Sequence, residues 1–251
     1  MIGLLRAEFR KLFSTKVWLW LLVGSAALGA LFVSLTLAFA GDPNSGIPPL
    51  DDPTVQPVVF NPAGAAVVFV VVLSVIGITQ EFRHRTATPT FLTTPSRGRV
   101  MAAKLVTYLV AGFGYALVTA VVLLAIGVPW LTSAGAEVSF GGDTGKVLVG
   151  GVVAAGLYSL LGVGVGALVR NQVGAIVGAL VYLFVLEPIV RGIPATAPVY
   201  RWLPGGAQEA LTGSLQAPDL LERWQGALLL IGYGLVAAGS ALALTLRRDI
   251  H

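Results

Sequence analysis

Residues 81–99, EFRHRTATPTFLTTPSRGR, sit between two long apolar runs and place four arginines (Arg83, Arg85, Arg97 and Arg99) around an apolar pair, Phe91 and Leu92. The chemistry open to such a mixture is recognition. Aromatic and aliphatic side chains can fill a partner's pocket while guanidinium groups pair with carboxylates at its rim. A stretch this polar cannot lie in hydrocarbon, and positive charge is retained on the cytoplasmic face of a membrane. The segment is therefore expected in the cytoplasm, where a partner can grip it. Retention of topology alone is the other use the same arginines have.

Groups suited to catalysis are scarce. The two histidines are His84, inside the basic segment, and His251, and neither stands in a spacing that suggests a metal site or a hydrolytic triad. A phosphate-binding loop needs G-x-x-x-x-G-K-[ST], and the nearest approach, Gly145-Lys146-Val147, lacks the hydroxyl residue. If ATP drives this protein, another polypeptide binds the nucleotide. The absence of cysteine excludes disulfides, thiolate metal sites and a thiol nucleophile. Within the apolar runs only Glu187 approaches an embedded charge, and the bland account is an interfacial carboxylate at a helix end, paired with Arg191 one turn on. So little internal charge argues against an ion- or proton-coupled carrier and against a selective ion channel.

The elements that must position these groups are membrane spans. Hydrophobic residues make up 56% of the 251 residues and charged residues 11%, where a soluble domain carries about 25% charged. Mean hydropathy is +0.85. Six runs approach or exceed the roughly 20 residues that cross a bilayer: 17–40, 58–80, 105–127, 147–169, 173–190 and 226–246. The fifth is short and ends in Glu187-Pro188. Of the sixteen Lys and Arg, twelve fall on the side of the N-terminus, the second and fourth connections and the tail. Lys146, Arg191, Arg201 and Arg223 fall on the other, so both termini are expected in the cytoplasm. Trp18 and Trp20 lie at the inner end of the first span, and Trp130, Trp202 and Trp224 near outer ends, where amphipathic rings favour the interface. Ala38-Phe39-Ala40 resembles a signal-cleavage site, but the 24-residue run before it exceeds a signal h-region of about 7–15 residues, so an uncleaved span is expected.

Residues 1–16 read as an amphipathic interfacial helix, with Leu5, Phe9 and Leu12 on one face and Arg6 and Arg10 displaced from it. A membrane-surface anchor and a partner contact are both open to it. The outer loop 41–57 is proline-rich and extended. The longest connection, 191–225, is expected to be an outer loop on or in the outer leaflet, with a short helix near 207–211. Gly162-x-x-x-Gly166 and Gly174-x-x-x-Gly178 permit close helix approach, chiefly for packing within the chain.

The order of an amphipathic basic N-terminal helix, six spans and a segment E-x-R-x-x-T-x-x-x-x-x-L-x-x-P-x-R before the third span resembles the permease subunit of type-2, export-class ABC transporters. The matching residues are Glu81, Arg83, Thr86, Leu92, Pro95 and Arg97, with Lys104 at the entry to the third span and a tight turn at Leu168-Val169-Arg170-Asn171-Gln172. The resemblance covers essentially the whole chain. It implies one all-α polytopic permease domain over 1–251, with residues 1–16 as its elbow helix and 81–104 as its cytoplasmic coupling segment. Glu81, Arg83, Thr86, Phe91, Leu92, Pro95 and Arg97 would form the contact with a cytosolic ABC ATPase. Pro89 falls where a coupling helix would otherwise continue, so that helix is expected to start at or after it. ATP and magnesium would be held by the partner ATPase and no cofactor or metal by this chain. The other implied partners are a second permease copy, identical or paralogous, and membrane lipid, with no nucleic acid. The setting would be the cell (inner or plasma) membrane, and the function ATP-driven export of an apolar or amphipathic substrate. A non-transporting membrane scaffold or assembly factor is the alternative from the residues alone.

Overall fold

The computed structural model describes residues 1–83, 97–193, 195–213 and 220–248. Among these residues every regular element is helical and no strand occurs. Helix α1 (Ile2–Ser14) is followed, after a two-residue break, by α2 (Val17–Ala38). Short α3 (Val55–Val59) precedes α4 (Ala63–Arg83). Asn61 and Pro62 separate them: the Asn61 side chain accepts the Ala63 N–H at 3.1 Å, and proline is suited to a helix start because its missing N–H needs no partner there. Then come α5 (Arg97–Ser133), α6 (Gly142–Val169) and α7 (Gln172–Val181). A π-helical turn, Tyr182–Leu186, joins α7 to α8 (Glu187–Gly192). The chain ends with α9 (Ala197–Tyr200), α10 (Pro204–Thr212) and α11 (Arg223–Arg248).

Six helical stretches are long and apolar enough to cross a membrane, as expected, and the third differs most in extent from the sequence reading. The third runs for 37 residues, about 55 Å, well beyond the ~30 Å of hydrocarbon. Charge ends a membrane span without ending a helix, so the basic residues 97–104 continue the helix that the apolar run begins. The fifth passes through Glu187-Pro188 to Gly192. There the Glu187 N–H bonds the Tyr182 carbonyl five residues back, a change of ladder register just ahead of a proline that has no N–H to give.

Helices α4 and α6 form the centre. Each apolar window there is 67% buried, against 11% for the α7–α8 stretch. Their contact depends on the first glycine pair. A Cβ on Gly162 would stand 2.8 Å from the Val71 carbonyl oxygen, and one on Gly166 would stand 2.4 Å from Ile78 Cγ2. The second pair packs differently. Space beside Gly178 is open, and α7 turns Ala175 and Ala179 inward instead. Val173, Val177, Phe184 and Ile189 are exposed on the same stretch, an apolar face that lipid or protein must cover.

Helix α1, the C-terminal end of α4 and the N-terminal end of α5 gather at one end of the bundle through the contacts described below. Ile78, Met101, Ala167 and Ala241 pack together there, which brings in the α6–α7 turn and the end of α11. That turn is tight, as read from the sequence: Arg170 is left-handed (φ 56°), and Asn171 caps α7 by accepting the Gly174 N–H at 2.9 Å. At the opposite end Gln56 bridges two loops, donating to the Glu137 carbonyl (2.8 Å) and accepting from the Ser139 N–H (3.0 Å). The 191–225 connection holds more structure than a loop, since α10 buries Gly206, Ala207, Ala210 and Leu211 against α6 and α11. Glu187 caps that helix, accepting the Gly205 N–H at 2.6 Å and the Tyr182 hydroxyl at 2.9 Å. Arg191, read as its partner, pairs instead with Glu209 on α10 at 2.7 Å.

Gly162→Ala should therefore lower stability by about 1–3 kcal/mol, by wedging α6 from the α4 backbone, whereas Gly178→Ala should be neutral or slightly stabilising. Thermal unfolding of the two variants in one detergent measures the contrast.

Candidate functional site

The sequence face of α1 is realised: Leu12 is buried, Leu5 and Phe9 are half-buried, and Arg6 and Arg10 are exposed. The same face carries Glu8, 5% exposed, between Leu5 and Leu12. A carboxylate is stable there only if it is paired. Lys104 of α5, 1% exposed, reaches Glu8 Oε2 at 2.7 Å and Glu81 Oε1, at the end of α4, at 2.8 Å. Lys11 completes the ring, with its ammonium 2.7 Å from Glu8 Oε1 and 2.7 Å from Glu81 Oε1. Two lysines and two glutamates thus balance in charge across three helices.

Burial of Lys11 lowers its pKa, but the hydrogen bonds and charges of Glu8 and Glu81 outweigh that and leave it raised. Its contribution to stability is therefore present at neutral pH and is lost only as pH rises past the ordinary lysine range.

Aromatic contacts clasp the neighbouring α1–α2 joint. Phe9 stacks on Phe13 at 6.3 Å, and Phe13 meets Trp18 edge-on at 4.9 Å. The Tyr115 hydroxyl of α5 donates to the Trp18 carbonyl. Leu12 packs beside Val70 and Leu73 of α4 and Tyr108 of α5. Helix α1 is thereby held to the two helices that bracket the basic segment, one on each side. Among the described residues no set of three His, Cys, Asp or Glu converges as a metal site would need.

The residues read as a contact surface divide accordingly. Glu81 faces inward to the lysines. Arg83 ends α4 and Arg97 begins α5, both described as backbone alone, while Thr86, Phe91, Leu92 and Pro95 lie outside the described residues. Glu8, Lys11 and Lys104 were not singled out as a site by the sequence. The available signal was Glu8 itself, an acid in the apolar stripe of an amphipathic helix.

Removing one member leaves an uncompensated buried charge, so Lys104→Met should cost about 3–5 kcal/mol. Glu8→Gln combined with Lys104→Met removes one charge of each sign, and its loss should fall short of the sum of the single losses by roughly 1 kcal/mol or more. Denaturant midpoints of the four proteins close the cycle, and additive losses would show that the ions act independently.

The pattern of the ABC-2 family transporter proteins matches residues 4–186. The matched region includes all four members of the ion ring and the first four long helices, and runs into the fifth. No curated protein matches the chain. With its six apolar helices, the chain belongs to the ABC-2 transporter family and is a multi-pass membrane transport permease.

Proposed function

We propose that this permease is driven by a separate cytosolic ABC ATPase, which grips residues 81–99 and moves the bundle through them. The observation that carries the proposal is the ion ring. Glu81 lies at the end of one helix flanking the segment, Lys104 lies near the start of the other, and both are joined to α1. A force on the intervening residues would reach α4, α5 and α1 together, as a rigid-body switch requires. In this scheme Phe91 and Leu92 anchor in an apolar pocket of the ATPase, and Arg83 and Arg97 pair with its carboxylates. Thr86 and Pro95 shape the segment between them.

Helix α1 acts as the elbow, with Arg6 and Arg10 toward anionic headgroups of the inner leaflet. Both termini lie in the cytoplasm. The ATPase holds ATP and magnesium. A second permease copy, identical or paralogous, covers exposed apolar surface and completes the path for an apolar or amphipathic substrate leaving across the cell membrane.

Three outcomes test this. Phe91→Asp should abolish co-purification with the ATPase, and retained association would remove that residue from the contact. Lys104→Met should keep the association yet lose most of the permease-dependent change in ATP hydrolysis, since the grip remains while the tie is cut. The chain has no cysteine, so a single Thr93→Cys reports sidedness cleanly. An impermeant thiol reagent should label it only from the cytoplasmic face, and labelling from outside would overturn the scheme.

A further inference from the structure

A second polar cluster lies under α10. A cavity of about 210 Å³ is lined by Tyr158, Glu187, Arg191, Tyr200, Gln208 and Glu209, among others. Tyr158 stands on α6 eight residues, roughly 12 Å along the helix, beyond Gly150, where the α10 backbone packs. Its charge is unbalanced. Arg191 offsets Glu209 at 2.7 Å, whereas Glu187 receives, among the described residues, the neutral donors of the Tyr182 hydroxyl and the Gly205 N–H.

Its hydrogen bonding is also incomplete. The Tyr158 hydroxyl, on a residue 2% exposed, and Glu209 Oε2 are buried without a partner among the described residues. Buried polar atoms are ordinarily satisfied, and two orphans in one cavity wall point to an absent group. Both can accept a hydrogen bond, and one excess carboxylate favours a cation. Tyrosine ring faces add cation–π attraction, as Arg191 shows by lying 5.8 Å over the Tyr200 ring.

We infer that this cavity binds a primary ammonium group carried on an amphipathic molecule. A quaternary ammonium has no N–H for the orphan acceptors. Ligand cavities for whole drug-sized molecules run to about 300–1,000 Å³, so this one holds a head group while the apolar remainder lies along the exposed helices. The inference deepens the substrate class of the proposed function, but it concerns binding by this chain alone. The amine could belong to an aminophospholipid or to a free amphiphile.

The test uses the full chain in nanodiscs of phosphatidylglycerol, without ATPase, so its failure would leave the coupling scheme standing. Dodecylammonium, below micelle formation, should bind saturably by calorimetry and at least roughly tenfold more tightly than dodecyltrimethylammonium. Tyr158→Phe and Glu209→Gln should each weaken it by a similar factor, while Asp143→Asn, at an exposed ion pair, should not. Tyr158→Phe keeps the packing, so its result does not depend on Glu209→Gln folding. Adding phosphatidylethanolamine either competes with the probe, identifying a lipid head group as occupant, or leaves its binding unchanged, identifying a free amphiphile; both uphold the ammonium site. Absence of saturable binding, equal binding by the variants, or equal affinity for the quaternary probe overturns it.

Discussion

Two glutamates and Lys104 share one buried place, closed on its outer side by the more exposed Lys11, and none of the buried three is stable there without its counter-charges. Lys104 is almost sealed from solvent, and an isolated ammonium at that depth would cost several kcal/mol. The ring therefore fixes a relation among three helices more than it adds net stability, because an apolar replacement of similar shape could pack as well. Hydrophobic contact would let α1 slide along α4 and α5. Two ion contacts at 2.7 Å, Lys11 to Glu81 and Lys104 to Glu8, confine it to one register. The proposed coupling to an ATPase would require that kind of fixity.

The rest of the architecture is consistent with a stiff centre and a compliant rim. Helices α4 and α6 approach so closely that Gly162 and Gly166 touch backbone or branched side chains, and such a seam transmits strain with little loss. Helix α2 is joined to α5 by a buried hydroxyl pair, Ser25 to Thr119 at 2.8 Å, and to α1 through the aromatic joint. The α7–α8 stretch is different. It is the least buried of the six, contains a π-helical turn, and is tied at its far end by Glu187 to the N-terminus of α10. Motion imposed at the ionic end would thus meet its least resistance along the fifth long helix.

Much of this was legible in the sequence, for a physical reason. A membrane imposes one length and one polarity on whatever crosses it, so 17–38 and 142–169 emerge almost as read. The ends of a helix are set by backbone chemistry instead, which is why the third begins at Arg97, eight residues before its apolar run, and continues to Ser133. The ion ring was hidden because the contacts that tie α1 to the other two helices join residues 70 and 96 apart, and each alone resembles an ordinary interfacial charge. Lys104 was read as a topology signal and as part of the family pattern, and Glu81 as part of a contact surface. Only the fold brings the two together.

Glu187 shows how far composition can mislead in the other direction. A lone carboxylate in an apolar run suggests either transport chemistry or an interfacial accident. Here its carboxylate accepts the Gly205 N–H at the first turn of a buried helix, so the charge is held by dipoles that do not titrate. That arrangement leaves Glu187 fixed in place and its negative charge uncancelled in the wall of the cavity beside it. The same residue that closes α10 against the bundle therefore also sets the sign of what the cavity can hold. Stability and selectivity at that end of the molecule are two consequences of one buried carboxylate.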